Sequence, residues 1–157
     1  MISKELAALF ARDIERLMQE LRAFPDTESI WKTAPGVSNA AGTLALHLEG
    51  NLREYIGRQL GHVAYTRDRP LEFSARGVAR DQVVARLEAV KASIPAVIAA
   101  LSNEQLEATY PENVLKTPIT TRQFLMHLLG HLNYHLGQVD YLRRFVTGNA
   151  AIDLAQF

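Results

Sequence analysis

Hydrophobic positions along this chain recur with the period of packed helices. In "SKELAALFARDIERLMQELRAF", Phe10, Ile14, Leu17, Leu21 and Phe24 fall at steps of 4-3-4-3, one stripe of a bundle helix. Ser3 is placed to cap it and Pro25 to stop it. A second helix is read in "NAAGTLALHLEGNLREYIGRQLGH", capped by Ser38 or Asn39, with Gly42, Gly50 and Gly57 allowing close helix approach. A third, "RDQVVARLEAVKASIPAVIAALS", carries Val83, Leu87, Val90, Ile94, Val97 and Leu101, and Pro95 should kink it. The fourth opens on a capping box, Thr120 with Gln123, and closes near Gly148. Its stripe runs Phe124, Leu128, His131, His135, Gln138, Leu142, Phe145, beside a second stripe of leucines.

Four such helices, each about 30 Å long at the helical rise, predict an all-α four-helix bundle forming a single domain over 1–157. Three connections separate them and leave the topology open. The first holds Trp31, expected to cap a bundle end. The second contains "RDRPLEF", residues 67–73, whose default reading is a solvated loop with exposed ion pairs, the alternatives being a dimer contact or a carboxylate clamp. The third, "NEQLEATYPENVLKTPIT", is non-periodic and read as irregular.

The polar middle of the fourth stripe changes the picture. Burying an unpaired polar group costs about 1–3 kcal/mol, and this helix has His127, His131 and His135 within or beside its apolar arc, expected off the solvent face. Either a buried polar network with Gln138 and Asn51 satisfies them, or a metal ion does. Residues four apart share a face, so 127/131 or 131/135 can reach one ion, whereas 127 and 135 are about 12 Å apart along the axis. His62, at the end of helix two, suits the helix dipole. His47, in mid-helix, is the better third ligand, and His47/His131/His135 would bridge facing helices with a coordination position left open. "HLNYH" has Leu132 where a zinc protease needs its glutamate base. Glu49 should face away from this site, and Tyr134 and Tyr141 should pack.

Composition narrows the chemistry further. Lys+Arg and Asp+Glu are both 17, so nothing points to nucleic acid or a membrane surface. There is no cysteine, hence no thiolate ligand and no protein thiol nucleophile. The N-terminus lacks a signal-peptide apolar run, and no stretch is long enough to span a membrane, so a cytoplasmic location is expected.

"HLLGHLNYHLGQVDYLRRFVTG" and "TLALHLEGNLREYI" resemble the helix-four and helix-two segments of the DinB/YfiT-like family, most specifically in H-x-x-x-H-x-x-Q at His131, His135 and Gln138. The resemblance covers nearly the whole chain. It implies a four-helix bundle holding a divalent transition metal, zinc or nickel foremost, on His47, His131 and His135. His127, Gln138 and Asn51 then support the ligands or line the pocket. It further implies a homodimer and a thiol-dependent S-transferase. With no cysteine here, the nucleophile would be a low-molecular-weight thiol and the other substrate a small electrophile. The alternatives are a non-catalytic metal-binding stress-response protein and a metal-dependent hydrolase.

Overall fold

The computed structural model describes residues 1–153; the expected domain limit at 157 lies outside the described residues. Among the described residues there are six α-helices: α1 (Ile2–Arg22), α2 (Ala41–Leu52), α3 (Arg69–Ser74), α4 (Arg80–Ala100), α5 (Asn103–Glu107) and α6 (Thr121–Thr147). The long α1, α2, α4 and α6 form the expected bundle. α2 continues without a break into a wider π-helical segment, Arg53–Arg58. Among the described residues the only β pairing is an isolated bridge between Thr109 and Thr120, and no helix is long and apolar enough to cross a membrane.

Cross-helix contacts set the topology. Glu15 meets Lys91 at 2.8 Å and Arg22 meets Glu88 at 2.7 Å, so α1 and α4 run antiparallel. Asp13 accepts from Asn133 at 2.8 Å, and Glu20 pairs with Arg143 further along, so α1 and α6 run parallel. Glu49 meets Arg86 at 2.6 Å while Gly57 faces Ile94, so α2 and α4 run parallel. His47 against His131 and Tyr55 against Phe124 make α2 and α6 antiparallel. The order is up-down-down-up. The connection from α2 to α4 must therefore travel back along the bundle, and α3 lies on this returning strap, packed against α2.

The stripes fill the core largely as read. Phe10, Ile14, Leu17, Leu21 and Phe24 of the first are all buried. On α4, Val83, Leu87, Val90 and Ile94 are buried, and the helix runs on through Pro95. Beyond the proline Leu101 is buried as read, Ile98 joins it in the core, and Val97 is half-buried against Gly61. Thr120 and Gln123 make the reciprocal capping box, and Gly148 ends α6 at φ 70°.

Several expectations are corrected. Ser3 does not cap α1: the helix begins at Ile2, with the Met1 carbonyl already accepting from Lys4, and Ser3 is buried in the first turn. Neither Ser38 nor Asn39 caps α2; the cap position is Ala40, a small residue that fits the buried helix start. Of the three glycines of helix two, only Gly57 faces another bundle helix; Gly42 lies against the Trp31 indole and Gly50 against Glu72. Trp31 donates to the Val78 carbonyl at 3.1 Å, tying the first connection to the strap. The third connection is not wholly irregular, since Ser102 and Gln105 form a second capping box that starts α5. Phe145 is 65% exposed, as are Tyr134 (65%) and Tyr141 (70%), because at about 100° per residue the three share one solvent-facing side of α6.

Candidate metal centre

α2 and α6 place three histidines face to face. His47 is buried in α2, with its ring packed on Phe73 and its Nε2 toward α6. His131 and His135 are half-buried, one turn apart on α6. Their Nε2 atoms converge: 3.2 Å from His47 to His131 and 3.1 Å from His135 to His131. All three lie within 4.8 Å of one another. Two nitrogens bound to one ion at about 2.0–2.1 Å stand about 3.0–3.4 Å apart at ordinary coordination angles, which matches both shorter separations.

The outer ring nitrogens explain why lone pairs point inward. His47 Nδ1 lies 3.0 Å from Glu72 Oε2, and a carboxylate only accepts, so the proton sits on Nδ1 and Nε2 is left with its lone pair. His135 Nδ1 is 2.6 Å from Gln138 Oε1, with the same consequence. His131 Nε2 has one proton at most for two neighbouring lone pairs, so hydrogen bonding alone leaves one lone pair facing another. A cation satisfies all three, and the donor set therefore fits a divalent transition metal. His131 Nδ1 is buried without a partner, as is the side-chain oxygen of Asn51.

Electrostatics favours the neutral form of the two α6 rings. Burial, followed by the nearby His135 and His47 rings, pushes His131 down to about 4. Burial lowers His135 too, against the opposing hydrogen bond with Gln138. Burial favours protonation of Glu72, but the hydrogen bonds from His47 and Arg67 and the charge of Arg67 outweigh it and hold the carboxyl below its usual range. Arg67 grips Glu72 through Nε at 2.7 Å and Nη2 at 2.9 Å.

Residues 67–73 are thus no solvated loop. Glu72 is buried and orients a histidine, which the charged look of "RDRPLEF" concealed. His127 is exposed, against expectation: it stacks at 5.9 Å on Phe124 and lines a cavity of about 190 Å³ together with Asn51, Arg67, Arg69 and the His47 and His131 rings. Glu49 turns to Arg53 and Arg86, away from the histidines as expected.

The up-down-down-up bundle is a DinB-like fold. Solved structures agree on the fold: a DinB-like protein from Bacillus cereus ATCC 10987 (TM-score 0.71, 18% identity, covering 94% of this chain and 93% of that one) and a conserved protein from Enterococcus faecalis (0.73, 19%, 94% and 96%). The chain belongs to the mycothiol-S-transferase family, whose model matches residues 5–148. No curated protein matches it in sequence.

Proposed function

We propose that the chain is a metal-dependent S-transferase that joins a low-molecular-weight thiol to a small electrophile. The observation that carries this is the convergence of the His47, His131 and His135 Nε2 atoms beside a cavity. His47, His131 and His135 would hold the ion, zinc or nickel foremost. A divalent ion there supplies Lewis acidity, which makes a thiol that meets it easier to deprotonate. Glu72 and Gln138 hold two of the rings in the ligating tautomer. Asn51 lines the same cavity as His131, but its side-chain oxygen makes no hydrogen bond to that ring, so His131 has no such support from the protein. His127, at the cavity wall, lines the pocket and is not a ligand.

Hydrolysis is the weaker reading. No carboxylate lines this cavity, and both Glu72 oxygens are engaged by His47 and Arg67, so none is free to deprotonate water. The test uses untagged protein. Elemental analysis is expected to find one divalent transition metal per chain, and conjugation of monobromobimane by a panel of small thiols is expected to depend on it. His131→Ala should lower conjugation about 100-fold or more. Retention of metal after loss of both His131 and His135 would place the ion elsewhere and end the assignment. Bound metal without conjugation of any thiol would favour the non-catalytic alternative.

A further inference from the structure

One cavity adjoins the His47 and His131 rings, and a second is joined to the histidines through Gln138. The smaller one, described above, is lined by Arg67, Arg69, Asn51 and His127, polar groups suited to the thiol. A larger one of about 460 Å³ opens on the far side of His135, between the 34–39 segment, the start of α2 and the last turns of α6. Gln138 forms its inner wall and also holds His135 Nδ1 at 2.6 Å. One amide and one imidazole ring therefore separate this cavity from the nitrogen cluster. Leu44, one turn before His47, and Leu142 give it a buried apolar floor.

Its rim is unusual. Val37, Tyr141 and Phe145 are 39%, 70% and 65% exposed, among the most exposed large apolar side chains described. Phe145 continues the core stripe of α6 but meets open space instead of a neighbouring helix. Scattered apolar residues are ordinary on a surface, whereas several around one concavity mark a binding site. No carboxylate, lysine or arginine lines it.

We infer that this cavity binds the second substrate, a small electrophile carrying an aromatic ring. The inference rests on the transferase reading above. A volume of about 460 Å³ is within the range of small-molecule sites. The cavity of about 190 Å³ is too small to hold both partners of a transfer. The Phe145 ring and the face of Tyr141 not covered by Arg144 offer surfaces on which an aromatic body stacks, with its reactive carbon reaching past Gln138 and His135 to the thiolate. For an aryl halide the thiolate sulfur bonds to that carbon, the carbon–halogen bond breaks, and the halide leaves with the electron pair. The thiol proton passes to solvent.

The test has two arms, with Tyr141→Ser and Phe145→Ser, both at exposed positions. In the first arm, unreactive 2,4-dinitrotoluene is titrated into metal-free protein and followed by quenching of intrinsic fluorescence. Saturable binding at one per chain is expected, weakened about tenfold in each variant. In the second, the ratio of kcat/KM for 1-chloro-2,4-dinitrobenzene to that for iodoacetamide, with one common thiol, should fall about tenfold in the variants, mainly through KM. Equal dinitrotoluene binding by wild type and variants overturns the inference. So does a change from dimer to monomer in Phe145→Ser by sedimentation velocity, which would make the cavity part of a subunit interface. Loss of dinitrotoluene binding in the variants, with no thiol conjugated to any electrophile, supports the cavity and overturns the transferase reading.

Discussion

A β-carbon at residue 50 would lie 2.0 Å from Glu72 Oε1 and 2.7 Å from its carboxyl carbon, so Glu72 reaches His47 across a gap that only glycine leaves. The obstructed atoms end a flexible side chain, so Gly50→Ala should spare the fold and displace the carboxylate. Metal affinity, read by chelator competition, is expected to fall about 10–100-fold. Gly57→Ala is the control, because a Cβ there meets only Ile94 at an ordinary 3.5 Å. The residues that a sequence reveals at this scale are those whose identity already implies chemistry. His47, His131 and His135 were legible for that reason. Glu72 was not, because it lies 25 positions from His47 in a stretch rich in charge, and its burial depends on an absent side chain in another helix. His127 misled because a step of four overshoots a full helical turn by about 40°. Three histidines so spaced fan out, and the first of them ends at the protein surface.

At the scale of elements, α6 has both ends specified locally. Thr120 accepts from the Gln123 amide at 3.1 Å, and Gln123 reaches back to the Thr120 amide at 3.0 Å. Gly148 takes a left-handed conformation at φ 70°. Thr120→Ala should lose about 0.5–2 kcal/mol, and Gly148→Ala about 1–2 kcal/mol, each read as a lower urea midpoint at unchanged slope. Such signals are short-range, which is why these boundaries were readable. The start of α2 was not, since polar Ser38 and Asn39 look like caps but the helix begins past them, where Ala40 and Ala41 are buried. Nothing in "REYIGR" distinguishes a π-helical turn from an α-helical one; that widening belongs to the packed helix rather than to its own residues.

For the whole molecule, periodicity identified the four bundle helices but not their order, because a stripe shows which face is buried and not against what. The order is secured by charges inside the bundle. Arg143 and Glu20 are both essentially inaccessible, and Arg143 also donates to the Ala150 carbonyl at 3.1 Å. Arg143→Met leaves Glu20 buried without its partner and should cost about 3–5 kcal/mol in chemical denaturation. Adding Glu20→Leu should restore most of that, since a well-packed apolar pair can replace a buried ion pair. The returning strap between α2 and α4 has a different consequence. It delivers Arg67 and Glu72 to His47 after a fixed run from the end of the π-helical segment, so its length is a measured tether. Lengthening or shortening the chain between 62 and 66 would slide the carboxylate off its imidazole, whereas extra residues in the exposed 115–118 turn, past Val114 at the cavity wall, line neither the centre nor its cavity. Among descendants of this sequence, insertions and deletions should therefore collect in that turn and be purged from the tether.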